Sequence, residues 1–89
     1  MDESYEVCWD WSEHGNAAHI AEHDVTPDEV EQVLQENLDR RMPDDVAPAR
    51  WIVFGFTQHR RYLKIVIELE WVEEWGCWAV YPVTAFEPD

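Results

Sequence analysis

The clearest helical pattern in the chain begins at Thr26. Thr26 suits the cap position, Pro27 suits the first helical position, and Glu29 is placed to bond back to the cap. Apolar residues then recur every three or four positions, the spacing of one buried helix face: Val30, Val33, Leu34 and Leu38. A shorter helix is predicted from Ser12 to about Glu22, with Ala17, Ile20 and Ala21 on its apolar side.

Four other segments predict strands. The first, Tyr5–Trp11, alternates apolar and polar residues with the period of two that is typical of a strand. Two more, Trp51–Thr57 and Tyr62–Trp71, flank a short polar turn and predict a hairpin. A final strand follows Gly76 and ends near Phe86, with Pro82 at an edge or a bulge. The residues between Met42 and Ala49 read as a loop.

The hairpin pattern predicts which face of the sheet meets the helices. Pairing Thr57 with Tyr62 places apolar residues opposite one another on one face: Phe56 with Leu63, Phe54 with Ile65, and Ile52 with Ile67. The other face would then carry Trp51, Val53, Val66, Trp78, Val80 and Phe86. Two short helices cover one face only, so we predict that these six residues form a homodimer interface.

Together these elements predict a small α/β domain of the α+β type that spans residues 1–89. The element order is β-α-α-β-β-β, with a mostly antiparallel four-stranded sheet and two helices on one face. No apolar run approaches the length of a membrane span, and the N-terminus Met1-Asp2-Glu3 lacks the positive charge of a signal peptide. We therefore expect a cytoplasmic protein without a membrane segment. Cys8 and Cys77 form no CxxC pair, so we expect two buried thiols.

Charge is distributed unevenly along the sequence. Residues 1–39 carry −12, residues 40–64 carry +4 and residues 65–89 carry −6, which gives the net charge of −14. A protein this acidic is a poor non-specific binder of nucleic acid. An anion site would have to come from the basic window, in which Arg40, Arg41 and Arg50 are candidate anion-binding residues. His19 and His23 have the i, i+4 spacing of metal ligands, but no third ligand follows, so we expect neither a metal nor a cofactor.

Several blocks of sequence together resemble a known family. They are the segment from His19 through His23 and Val25-Thr26-Pro27-Asp28-Glu29-Val30 to Leu34, then Arg61-Tyr62-Leu63, and finally Tyr81-Pro82-Val83-Thr84-Ala85-Phe86. In this order they resemble the BrnT-like toxins of the RelE superfamily. The sequence departs from that pattern in two places. Asp24 stands where Gly is common, and Glu87-Pro88-Asp89 stands where the family continues into a basic segment.

The resemblance implies a toxin of a bacterial toxin–antitoxin system, a metal-independent endoribonuclease acting on mRNA, and an antitoxin partner. Such cleavage needs a base, a cation and an acid. One cluster offers all three, and its members are the candidate catalytic residues: His59, Arg60, Arg61, Tyr62 and Lys64. The same residues could instead form a solvated turn, with Lys64 paired to an acid such as Glu68. Two alternatives for the whole chain stay open: a non-catalytic dimeric interaction module on the same fold, and an acidic mimic of nucleic acid.

Overall fold

A computed structural model describes residues 4–89 of the chain, and Met1–Glu3 lie outside that range. The helices are α1, Asn16–Ala21, and α2, Pro27–Asn37, which continues into a 3-10 turn at Leu38–Arg40. The strands are β1 (Tyr5–Val7), β2 (Met42–Pro43), β3 (Arg50–Phe56), β4 (Tyr62–Val72) and β5 (Cys77–Phe86). The α+β class is thereby confirmed. Neither helix within residues 4–89 is long and apolar enough to cross a membrane.

Within residues 4–89 the sheet has five strands in the order β1-β5-β4-β3-β2, so the prediction of four strands was wrong. The extra strand β2 lies in the predicted loop and pairs with Trp51 and Ile52 of β3. β1 is also shorter than predicted and runs parallel to β5. The parallel pairing needs a long crossover, which α1, α2, β3 and β4 supply. As predicted, Pro82 lies at an irregularity of β5, where the register with β4 shifts.

Helix α2 begins as the sequence predicts, whereas α1 begins later. Thr26 and Glu29 form a reciprocal capping box: each side chain accepts a hydrogen bond from the other residue's backbone N–H, at 3.2 and 3.0 Å. Helix α1 starts at Asn16 instead of Ser12, because the chain from Asp10 to Gly15 forms a turn. The Ser12 N–H bonds to the Asp10 carboxylate at 3.0 Å, and the Gly15 N–H bonds to the Ser12 carbonyl at 3.1 Å.

Both helices pack on one face of the sheet. The core combines helix residues with alternate residues of the three long strands, and all of its members are buried: Ile20, Val25, Val30, Val33, Leu34, Leu38, Val53, Leu63, Ile65, Ile67, Val80 and Ala85. Trp51 also packs against this cluster. We call this side of the sheet the helix face and the other side the open face.

The predicted hairpin register was wrong by one residue. Phe56, not Thr57, pairs with Tyr62, and Val53 pairs with Ile65. The loop is Gln58-His59-Arg60, closed by a bond from the Thr57 N–H to the Arg61 carbonyl at 2.9 Å. Arg60 takes the positive φ of 65° that such three-residue loops require. A slip of one residue turns every side chain of a strand to the opposite face.

Gly55 explains physically why β3 takes this register. A Cβ atom on Gly55 would lie 2.3 Å from the Asn37 Nδ2 and 2.9 Å from a methyl carbon of Val33. Helix α2 therefore packs directly on the backbone at residue 55, which must face the helices. Val53 and Trp51 lie two and four residues before Gly55, so they face the helices as well. Ile52, Phe54 and Phe56 lie on the open face.

The same correction applies to the predicted homodimer interface. Val53 and Val80 are buried in the core, and Trp51 packs against it, so these three face the helices. Trp78 shares their face, because it pairs with Trp71 on β4, in line with Leu69 and Ile67. Val66 is on the open face, and Phe86 pairs with Lys64 of that face at the end of β5, where its ring also contacts His23. Four of the six interface residues assigned from sequence therefore lie on the helix face, and two lie on the open face.

Candidate functional site

Arg61 forms the densest polar cluster around any predicted catalytic residue. Its guanidinium bonds to the Glu29 carboxylate at 3.0 and 3.2 Å, and it also bonds to Glu87. It donates further hydrogen bonds to the backbone carbonyls of Asp24 and His23, in the turn between α1 and α2. Arg61 therefore joins the start of β4, the helix–helix turn and the segment after β5. We call this cluster the Arg61 clasp.

The electrostatics of the clasp are those of a stable ion pair. Partial burial by itself would raise the pKa of Glu29, but hydrogen bonds from the Thr26 backbone and from Arg61 outweigh it and lower the pKa. The hydrogen bond to Glu87, followed by that to Glu29, raises the pKa of Arg61. Glu29 thus stays ionised and Arg61 stays charged. An arginine held by two carboxylates has little capacity left to stabilise a phosphate.

The other predicted catalytic residues do not converge with Arg61. His59 and Arg60 are exposed at the tip of the hairpin. Tyr62 and Lys64 lie on the open face, opposite to the side on which Arg61 meets Glu29. Lys64 does not pair with Glu68 as the alternative proposed; its Nζ lies 5.8 Å from the ring centre of Phe86.

The three predicted anion-binding arginines also have separate partners. Arg40 bonds to the Glu36 carbonyl and the Asn37 side chain, at the end of α2. The Arg41 guanidinium lies over the Trp51 ring, 4.9 Å from its centre. Arg50 pairs with Glu68 at 3.3 Å. Within residues 4–89, the basic window therefore forms no single anion site.

Among residues 4–89, no three His, Cys, Asp or Glu side chains are grouped to hold a metal ion. His19 pairs with Glu22 at 3.3 Å, and its ring meets that of His23 edge to face. Cys8 and Cys77 are free thiols, and Cys77 is buried as the sequence predicts, whereas Cys8 is only partly buried. Burial raises the pKa of Cys8, and burial followed by Glu70 raises the pKa of Tyr81. Neither group is therefore an activated nucleophile.

The open face of the sheet carries a group of exposed apolar side chains, and neither α1 nor α2 covers it. Tyr62 stacks on Phe54 with ring centres 5.9 Å apart and contacts Phe56 at 4.7 Å. Phe56 is 58% exposed, Met42 is 47% exposed and Tyr62 is 41% exposed. Ile52 and Val66 pair across β3 and β4 beside them. A face this rich in large apolar side chains is typical of a protein interface.

Sequence reasoning placed most of this apolar surface in the core. The prediction of an uncovered face with aromatic residues still stands, but Ile52, Phe54 and Phe56 replace Trp51, Val53 and Val80 as its members. The signal that identifies them is Gly55. A glycine inside a strand often marks a close approach of another backbone or side chain. Here it marks the contact with α2 and so fixes which neighbours point outward.

Comparison with known protein families, curated proteins and solved structures found no match to this chain.

Proposed function

We propose that this domain is a non-catalytic interaction module that forms a homodimer through the open face of its sheet. The exposed aromatic cluster of Phe54, Phe56 and Tyr62 is the observation that carries the proposal. The helices bury the opposite face, so burial of these rings requires another molecule. The ion pairs of Arg61 with Glu29 and Glu87 support a non-catalytic role. They engage the guanidinium, so it has little capacity left to bind a phosphate.

The size of the patch sets the expected affinity. Strand spacing and rise give four strands of about seven residues a projected area on the order of 400 Å². That is about half of the roughly 800 Å² that one partner buries in a standard specific interface, and it falls in the range of weak, transient contacts. We therefore expect dissociation constants in the micromolar range and a dimer that forms reversibly with concentration.

Sedimentation velocity between about 1 and 100 µM tests this proposal, in the concentration range that such an interface requires. The wild type should shift from monomer to dimer, and Phe56→Lys should remain monomeric because it places a charge within the aromatic cluster, beside the ring of Tyr62. Trp75→Lys is the matched control. Trp75 is 51% exposed and lies in the β4–β5 turn, away from the open face. A wild-type monomer throughout this range, or equal loss of dimer in both variants, would contradict the proposal.

A second candidate is the ribonuclease toxin, which one backbone feature supports. Asp24 has a φ of 60°, in the left-handed region that favours glycine. This is the position where the BrnT-like pattern commonly has Gly, so the local backbone suits the resemblance. Incubation of purified protein with labelled single-stranded mRNA in EDTA tests it. Cleavage by the wild type and none by Arg60→Ala/Lys64→Ala would favour the toxin, and intact RNA with folded protein would count against it.

A further inference from the structure

The charges on the open face of β4 change sign about its centre. From one end to the other, the residues on this face are Tyr62, Lys64, Val66, Glu68, Glu70 and Val72. Lys64 and Glu68 lie two residues on either side of Val66. At a rise of about 3.4 Å per residue, each is about 7 Å from it. Val66 is 8% exposed and occupies the middle of the face. The pattern is therefore positive at one end and negative at the other.

A symmetric dimer through this face can stack the two β4 strands in two ways. In both, the two-fold axis lies in the plane between the sheets, because a perpendicular axis would not bring the two open faces together. An axis along β4 stacks the two β4 strands parallel and places each β4 residue over the same residue of the other copy. Lys64 would then face Lys64, and Glu68 would face Glu68. An axis across β4 at Val66 stacks the strands antiparallel and places Lys64 over the partner's Glu68.

Charge therefore selects the antiparallel arrangement. It forms two Lys64–Glu68 pairs across the interface, whereas the parallel arrangement opposes like charges at both positions. Packed sheets usually cross at about −30°, which displaces a residue 7 Å from the axis sideways by roughly 3.5 Å. This is less than the strand spacing of about 4.8 Å, so the long Lys and Glu side chains remain within reach.

The neighbouring strand β3 fits the same arrangement. Phe54 pairs with Lys64, and Arg50 pairs with Glu68, so they occupy the same two levels of the sheet. Rotation about an axis across the strands keeps β3 over β3. It therefore places Phe54 over the partner's Arg50, where a guanidinium can lie against an aromatic ring. The Arg50–Glu68 ion pair is about half exposed, which leaves both groups accessible to a second partner.

We infer that two copies of this chain stack their open faces antiparallel about Val66, with Lys64 of each copy paired to Glu68 of the other. This inference rests on the proposed homodimer. It adds the orientation of the two copies and the residues that determine it. It also predicts which substitutions restore binding when they are combined, which the apolar surface alone does not.

Charge reversal tests the arrangement by sedimentation velocity. Lys64→Glu and Glu68→Lys should each weaken the dimer by about tenfold or more, because each creates two like-charged contacts in every dimer. The double variant Lys64→Glu/Glu68→Lys should recover most of the lost affinity, since it reverses both ends of each intermolecular pair, although a lysine at position 68 then lies beside Arg50 of its own chain. Lys64→Met removes the charge but keeps the length of the side chain, and should weaken the dimer less than Lys64→Glu.

Mixing the two single variants provides a second test that also controls for folding. An equimolar mixture should form a heterodimer, in which both contacts between positions 64 and 68 join opposite charges. A wild-type dimer that neither single variant weakens would overturn the antiparallel arrangement and leave the proposed homodimer standing. Failure of both the double variant and the mixture to recover, with folded protein by circular dichroism, would also overturn it. A monomeric wild type would remove the homodimer and this inference together.

Discussion

Removal of the Arg61 side chain should destabilise the fold far more than removal of its neighbour in the hairpin. Arg61→Ala deletes all the hydrogen bonds of the clasp at once. It leaves the Glu29 carboxylate, which is 19% exposed, without its cation. The carbonyl groups of the α1–α2 turn lose their donor as well. The segment after β5 is released when the contact with Glu87 is lost.

The loss of stability expected from Arg61→Ala depends on how far each partner of Arg61 is shielded from solvent. A hydrogen bond to a charged group contributes about 1.5–3 kcal/mol net, and such terms do not add when they share one donor group. The contact with Glu87 counts for little, because its side chain is 56% exposed and exposed pairs contribute about 0–1 kcal/mol. The pair with Glu29 dominates, so we expect Arg61→Ala to lower the free energy of unfolding by about 2–3 kcal/mol.

Thermal and urea unfolding monitored by far-ultraviolet circular dichroism measures this effect. For a domain of this size each kcal/mol shifts Tm by about 4–8 °C, so Arg61→Ala should lose roughly 10–20 °C. Arg60→Ala makes the same charge change one residue earlier, at an exposed position, and should lie within about 0.5 kcal/mol of the wild type. Equal effects of the two substitutions would refute the structural role of the clasp and attribute the loss to charge alone.

Three further substitutions test particular backbone and side-chain features. Asp24→Gly should raise Tm by a few degrees by removing the cost of about 1 kcal/mol for a positive φ, whereas Asp24→Ala should give no gain. Because the pKa of Glu29 is lowered in the fold, its carboxylate stabilises the protein above its unfolded pKa, and this contribution is lost as pH falls through the folded pKa. Glu29→Gln should therefore cost stability at pH 7 and progressively less toward acidic pH in urea titrations. Gly55→Ala should destabilise by about 1–3 kcal/mol, measured by the same titrations, since its Cβ would overlap the Asn37 amide.

The sequence correctly predicted the elements that depend on residues close to one another in the chain. The α2 start was readable because a capping box is formed by residues three apart in sequence, and Thr26 and Glu29 meet as expected. The long strands could be predicted because the apolar pattern of a strand depends on the sequence of that strand alone. The short strand β2 was not readable, because its pairing with Trp51 and Ile52 depends on the path of a loop that has no periodic pattern.

The strand register was wrong because both faces of β3 are apolar. Ile52, Phe54 and Phe56 alternate with Trp51 and Val53, so hydrophobicity alone gives no preference between the two faces. Pairing the largest apolar residues across the hairpin then favours the wrong register. The deciding contact, Gly55 against Asn37 of α2, joins residues 18 apart in sequence. A nonlocal contact of this kind is visible in sequence only as an unexplained glycine within a strand.

The candidate site was mispredicted for a related reason. Arg60, Arg61, Tyr62 and Lys64 are close in sequence, but strand alternation sends Arg61 to one side and Tyr62 and Lys64 to the other. Adjacent residues of a strand therefore point to opposite faces of the sheet and do not form one site. The partners of Arg61, in α2 and after β5, come from segments about 30 residues away in either direction.

The clasp also determines how the ribonuclease hypothesis can be tested. A substitution that includes Arg61 would abolish activity whether the arginine contacts RNA or only maintains the fold, because it disconnects the helix–helix turn from the sheet. Loss of cleavage in such a variant would not locate a site. Arg60 is exposed and Lys64 lies on the open face, so their replacement should leave the fold intact. Lys64 is also the residue whose reversal should weaken the homodimer. If Lys64→Glu weakens the dimer and neither this variant nor the wild type cleaves mRNA, the open face serves dimer formation and the ribonuclease hypothesis is contradicted.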